Sequence, residues 1–248
     1  MNEYINITLD NIDDEHICCA IGDPKHKDGV SNKKEWLKAR INEGHVFRKL
    51  NARGKVFIEY APLEFAWTPV SGNNFMYIYC LWVSGSFKGK GIANELIGYA
   101  INDAKRQGKS GICTISSKKK KPYIGDKKFF EHYGFKVVDT INDYELLSLS
   151  LNDGLPSFND NARNMKIDSE KFTIYYSPSC PYVINCIKEI QEHTLSNDTS
   201  FNLIKVDSLE KAKNVPCIFN NWANFKDGVF ISNTLLNKNS FEKLINDK

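Results

Sequence analysis

Lysine and glycine alternate through Lys88-Gly89-Lys90-Gly91-Ile92-Ala93, and a helical pattern begins immediately behind them. A helix start leaves about four backbone N–H groups without partners and carries the positive end of the helix dipole. Glycines at that point let an anion reach the main chain with no Cβ in the way, which suits a phosphate. No GK[ST] follows, so this is not a nucleotide P-loop, and no third glycine follows, so it is not a dinucleotide fingerprint. A second point of chemistry is Cys180-Pro181 at the head of another helical pattern, where free N–H groups favour a thiolate. Carboxylates able to accept a proton lie upstream at Glu59, in KVFIEYAPLE, with Glu64 in reserve.

These groups need elements to hold them. Before the loop, ITLDNI reads as a strand and SNKKEWLKARINEG as a helix from Ser31 to Gly44. HVFRKLN, KVFIEYAPL and NFMYIYCLWV are runs rich in β-branched and aromatic residues, divided by turn signals, which predicts an antiparallel meander. Behind the glycines, Ile92, Leu96, Ile97, Ala100, Ile101 and Ala104 form one helical face, closed by Lys105, Arg106 and Gly108. GICTIS, a short helix DKKFFEHYG, then FKVVDT and YELLSLSL complete an α+β domain over residues 1–150. Residues 151–168, dense in Asn, Asp, Ser, Gly and Pro, read as a linker. Residues 169–248 follow a different order: strand FTIYYS, a helix carrying Val183, Ile184, Ile187 and Ile190, strand FNLIKVD, a hairpin NVPCIFNN/GVFISN, and a helix SFEKLI.

Length and composition agree with two cores. The chain has 248 residues, with 42% hydrophobic and 25% charged, an ordinary globular balance that speaks against disorder. A net charge of +3 speaks against a nucleic-acid partner, the run Lys118 to Lys121 being the one concentrated patch. That run is either a solvated loop or a contact for a ribose phosphate. No apolar stretch is long enough to cross a membrane and no signal layout opens the sequence, so no membrane partner and a cytoplasmic location are expected. The seven cysteines, Cys18, Cys19, Cys80, Cys113, Cys180, Cys186 and Cys217, form no CxxC pair, and the five histidines never fall at i, i+4 spacing, so no metal is expected.

The glycine loop, read as WVSGSFKGKGIA, resembles the acyl-CoA loop of the GNAT acetyltransferase superfamily, [Q/R]-x-x-G-x-[G/A] after a strand ending in an apolar-Val pair. Lys88 stands where the family prefers Gln or Arg, followed by Gly91 and Ala93. KKFFEHYGF at 127–135 resembles the family's [F/Y]-Y-x-x-x-G-F segment. The resemblance implies acetyl-CoA as cosubstrate, with its pantetheine arm paired to Leu81, Trp82 and Val83 between two splayed strands. The N–H groups of Lys88, Gly89, Lys90, Gly91, Ile92 and Ala93 would then cradle the pyrophosphate. Phe130 occupies the cofactor-side position where many members use a tyrosine to protonate the departing thiolate. Phenylalanine has no proton to give, which leaves Tyr123, Tyr133, His132 or water. Glu59 is the preferred base, because alternation places it on the side opposite Ile58, on the strand beside NFMYIYCLWV; its alternative is an exposed strand carboxylate.

The second domain resembles the thioredoxin-like fold, glutaredoxins in particular, through SPSCPYV, a Val215-Pro216 pair where such folds keep a cis proline, and a lysine-glycine turn before the last strand. Val183 stands where a resolving cysteine would be, so dithiol exchange by a neighbouring pair is excluded. Cys186 lies about 240° around the helix from Cys180, whereas Cys217 is placed to approach it. The domain order, with HICCAIGDPK, FIEYAP and CLWVSG, resembles the YoaP-like acetyltransferases of bacteria. The function implied is direct transfer of an acetyl group from acetyl-CoA to a small-molecule or peptide amine. A monothiol redox protein centred on Cys180 and a non-catalytic acyl-CoA sensor are the alternatives, and oligomeric state is left open.

Overall fold

The computed structural model describes residues 2–17, 20–197 and 200–246. Cys18 and Cys19 lie outside the described residues. Two compact units emerge: Met1–Ile21, Lys34–Ala66 and Val70–Phe158 form the first, and Gly22–Lys33, Trp67–Pro69 and Asn159–Lys248 the second.

The first unit is built on β1 (Tyr4–Asn6), β2 (Val46–Leu50), β3 (Val56–Pro62), β4 (Val70–Ser71), β5 (Phe75–Val83), β6 (Gly111–Ser117), β7 (Lys136–Ile141), β8 (Tyr144–Ser150) and β9 (Ser157–Phe158). Seven of these make one sheet in the order β1-β2-β3-β5-β6-β8-β7, and β4 pairs separately with β9. β2, β3 and β5 form the expected antiparallel meander. β5 and β6 are parallel, so the chain must cross over between them. Helix α2 (Ile92–Arg106) makes that crossing, burying Ile92, Leu96, Ile97, Ala100 and Ala104. These residues share a core with Ile58, Tyr60, Met76, Ile78 and Ile112 from the sheet. Position 103 on the same helix is also buried, and its carboxylate is satisfied there by Tyr60 Oη at 2.7 Å.

Several boundaries differ from the sequence reading. The first strand is Tyr4–Asn6, because ITLDNI forms turns: Thr8 N–H bonds the Asn11 side chain at 2.8 Å and Ile12 N–H bonds Thr8 O at 3.0 Å. Helix α1 (Lys27–Ile41) begins four residues before Ser31, behind a 3-10 turn at Pro24–His26 that Asp23 caps. A short helix α3 (Lys127–His132), capped by the Asp126 side chain, follows β6. The stretch 151–168 holds β9 and a 3-10 turn, Asp160–Arg163.

The second unit contains β10 (Thr173–Tyr176), α4 (Pro181–Asn197), β11 (Asn202–Lys205), α5 (Leu209–Lys213), β12 (Trp222–Lys226), β13 (Val229–Ser232) and α6 (Lys238–Asn246). Its sheet runs β11-β10-β12-β13, with β10 and β11 parallel and the other pairs antiparallel. Ile174, Val183, Ile187, Ile190, Trp222 and Phe241 fill its core. The hairpin differs from expectation. NVPCIFNN is not a strand; β12 begins at Trp222, and the turn to β13 is Asp227-Gly228, both in the left-handed region. No peptide bond among the described residues is cis, so Val215–Pro216 is trans.

Candidate active site

β5 and β6 pair over only three positions, Phe75↔Gly111, Met76↔Ile112 and Tyr77↔Cys113. Beyond Tyr77 β5 stays registered with β3 as far as Val83, while β6 goes its own way, so a wedge opens between the two parallel strands. At its apex the Thr114 hydroxyl donates to Ile78 O at 3.0 Å. Further along, Gly125 forms a parallel bridge with Ser116, whose opposite side is already taken by Glu145 of β8. Gly125 therefore occupies the edge of β6 that β5 has vacated. Leu81 and Val83 are half-buried along the diverging strand, and Trp82 is 47% exposed.

β5 leads into the glycine loop through a 3-10 turn, Gly85–Phe87. Ser84 N–H is anchored on Lys55 O at 3.1 Å, and Phe87 packs on the core under α2. Gly89 and Gly91 have φ of +74° and +76°, and a Cβ at either would stand in open space. Conformation, not crowding, selects glycine here. Among the described residues, the N–H groups of Gly89, Lys90, Gly91, Ile92 and Ala93 donate no hydrogen bond. Lys88 departs from the expectation, its N–H being engaged by Gly85 O at 3.2 Å. Lys88 and Lys90 are exposed on the loop. Glu95, in the first turn of α2, would repel an anion, but its carboxylate is hydrogen-bonded by Tyr4 Oη at 2.7 Å and Asn2 Nδ2 at 2.9 Å. Five unfilled donors, two lysines, open space above both glycines and a strand edge without a ladder fit the phosphates and amide arm of an acyl-CoA.

Glu59 is 4% exposed, not the solvated strand carboxylate of the alternative reading. It pairs with Cys80 across the sheet, where β5 carries a bulge: Glu59 faces Cys80 and Tyr60 faces Ile78, leaving Tyr79 as the extra residue. His45 Nε2 lies 2.9 Å from Glu59 Oε1. Trp36 and Tyr79 pack on the His45 ring at centroid distances of 5.1 Å each. Sequence reasoning missed His45, a lone histidine before a strand. Glu64, the reserve carboxylate, pairs instead with Lys109 at 3.3 Å.

The tyrosine candidates differ in setting. Tyr133 caps the end of α3; its hydroxyl is buried without a hydrogen-bond partner, and burial raises its pKa. Tyr123 is 49% exposed and holds φ +61°, two residues before Gly125. His132 is exposed. Phe130 is 3% exposed in the core, its ring against Phe135 at 5.2 Å and over Gly125, where a Cβ would come within 2.8 Å of it. In the lysine run, Lys118 Nζ donates to Asn142 O at 2.8 Å and Lys121 lies 3.7 Å from Asp143, so both ends are tied to the β7–β8 turn.

In the second unit Cys180 immediately precedes α4 and is 9% exposed. Burial pushes the Cys186 thiol up to about 11 and the Cys217 thiol well above its ordinary value. Among the described residues no disulfide joins any two of Cys80, Cys113, Cys180, Cys186 and Cys217. Among the described residues no cluster of three or more His, Cys, Asp or Glu could hold a metal ion, and no helix is long and apolar enough to cross a membrane.

The wedge and loop fall inside residues 9–135, which match the acetyltransferase (GNAT) family. The chain belongs to this family, and it is an acyl-CoA-dependent N-acetyltransferase. Residues 200–243 match the family described as YoaP-like. Over 247 residues the chain is 44% identical to the Uncharacterized N-acetyltransferase YoaP of Bacillus subtilis (strain 168), covering 98% of each sequence. Among solved structures it is similar to a GNAT family acetyltransferase from Brucella melitensis in complex with acetyl-CoA, at 13% identity and a TM-score of 0.41, over 64% of this chain and 94% of that one. The ribosomal-protein-S18-alanine N-acetyltransferase of Escherichia coli is similar at 12% identity and a TM-score of 0.41, over 62% and 96%.

Proposed function

We propose that the chain transfers the acetyl group of acetyl-CoA directly to the amine of a small molecule or peptide, with the cosubstrate held in the wedge between β5 and β6. One observation carries this reading: five main-chain N–H groups at Gly89–Ala93 lack partners beside a strand edge that β6 has left. Those donors bind the pyrophosphate, and Lys88 contributes charge through its side chain, without the planar fork of an arginine. The β5 edge at Leu81, Trp82 and Val83 orients the pantetheine arm. Acetyl-CoA supplies the activated acyl group and the leaving thiolate.

Glu59 accepts the proton of the attacking nitrogen. Proton return to the thiolate falls to Tyr123, Tyr133 or water, and the place of Tyr123 two residues before Gly125 favours it over Tyr133, whose hydroxyl is buried. Phe130 shapes the wall through its contact with Gly125. No cysteine in the sequence is matched by a His–Asp set, which supports direct attack over an acyl-enzyme.

The domain division is a transferase domain over 1–150, a linker over 151–168 and a second domain over 169–248. The second is thioredoxin-like in our reading, supported by the β-α-β then β-β-α order and the β11-β10-β12-β13 sheet. With Val183 at the resolving position and Cys217 fully enclosed, it serves recognition or self-association, not thiol exchange. A cytoplasmic location completes the proposal.

Calorimetric titration with acetyl-CoA, followed by an amine panel read by released thiol, tests it. Binding without turnover against every amine would convert the reading to a sensor. Absence of binding would end it. Loss of an activity on Cys180→Ser with CoA binding intact would move the chemistry to the second unit.

A further inference from the structure

The base assigned above is enclosed, and an enclosed carboxylate needs a partner that fixes its charge and direction. That partner is a second titratable group. The β2–β3 register pairs Phe47 with Glu59 and Val46 with Tyr60, and it brings His45, the residue ahead of β2, to the Glu59 carboxylate. The side chains of the pair are 1% and 6% exposed, so bulk water does not screen them. Trp36 meets the His45 ring edge-on at 90°, and Tyr79 lies against it tilted by 33°. Tyr79 is itself the bulged residue of β5, and both it and the neighbouring Cys80 are half-buried, where the sheet opens toward the wedge. His45 is thus clamped on two sides by rings from α1 and β5, with its Nε2 aimed at Glu59 Oε1.

We infer that His45 is a positioning residue for the transfer: its Nε2–H, held by Trp36 and Tyr79, fixes the Glu59 carboxylate in the orientation that accepts the proton of the incoming amine. This rests on the reading of Glu59 as base. His45 itself contacts neither cosubstrate nor acceptor. Its bond is to Glu59 Oε1, and no electron or group passes through the imidazole.

Two measurements on the full chain test the inference. The first follows thiol release from acetyl-CoA, with spermidine, benzylamine and water as acceptors, for the wild type, Glu59→Gln, His45→Gln, His45→Leu and the double variant His45→Leu/Glu59→Gln. His45→Gln keeps an N–H donor and should hold kcat within about 3-fold; His45→Leu should lose at least 10-fold in kcat with KM for acetyl-CoA unchanged. On the Glu59→Gln background His45→Leu should add no further loss, since it acts only through that carboxylate. Should His45→Leu retain kcat while Glu59→Gln loses it, the positioning role is overturned and the base stands. Should Glu59→Gln retain kcat, both fall together.

The second measurement needs no turnover and survives a poorly folding variant: the 15N–1H spectrum of the histidine rings in the wild-type chain. A protonated Nε2 on His45, exchanging slowly with water and altered in Glu59→Gln, is the expected signature. A His45 ring protonated only at Nδ1 overturns the inference.

Discussion

Phe75 lies directly across from Gly111 at the closed end of the wedge, and the two strands meet there only because residue 111 has no side chain. A Cβ at that position would stand 2.5 Å from Phe75 Cε1 and 2.6 Å from Leu149 O. Gly111→Ala must therefore push β6 away from β5 or from β8. Overpacking of this kind costs about 1–3 kcal/mol, so thermal unfolding should show a fall of several degrees in Tm. An unchanged Tm would mean that the strands at the apex are less tightly seated than described.

Gly91 faces the opposite requirement, with open space but a left-handed backbone. Gly91→Ala should cost about 1–2 kcal/mol of backbone strain. It also sets a methyl group among the unfilled N–H donors. Calorimetry should show the acetyl-CoA dissociation constant rising by about 10-fold or more, equivalent to about 1.4 kcal/mol, beyond any stability loss.

The loop and the meander were legible because their signals are local: alternation for the strands, a 3.6-residue period for α2, glycines before its first turn. What failed to show depended either on short-range side-chain caps that compete with the apolar pattern or on pairings between separate elements. ITLDNI alternates as a strand would, yet Asn11 folds its side chain back onto Thr8 N–H and turns the chain. Asp23 and Pro24 start α1 earlier than its apolar pattern begins. His45 carries no local signature, since only the β2–β3 register brings it to Glu59. Glu59 itself was legible as a candidate, whereas its burial beside His45 was not. The wedge was legible only through the family resemblance, because no sequence pattern marks where two parallel strands stop pairing.

Asp103 predicts a pH response. Its partial burial favours the neutral acid, but hydrogen bonds from Arg106, Tyr60 and Gln107 outweigh this and hold its carboxyl below the usual range. A folded-state pKa below the unfolded one adds stability that is present above about pH 4 and is lost as pH falls through the lowered value. Denaturant unfolding should therefore show wild type losing more stability than Asp103→Asn between pH 6 and pH 3. Parallel losses in the two would remove Asp103 from the balance. Tyr60 stays protonated throughout this range, its pKa raised first by burial and then by Asp103.

Thiol reactivity offers a check on the second unit. With its pKa pushed to about 11 by burial, Cys186 carries little thiolate at neutral pH, and Cys217 less still. Iodoacetamide applied to the native chain at pH 7.5 should leave both unmodified by mass spectrometry until denaturant is added. Rapid labelling of Cys217 would show that its enclosure opens readily.

The bridge between Ser116 and Gly125 has a consequence for the open strand edge. A sheet split down its middle would ordinarily bare a run of unsatisfied strand inside a cleft, a template on which another polypeptide could polymerise. Here the Thr114 hydroxyl and the Gly125 backbone interrupt that run at two points. These two contacts shorten the stretch of strand edge that the wedge leaves open.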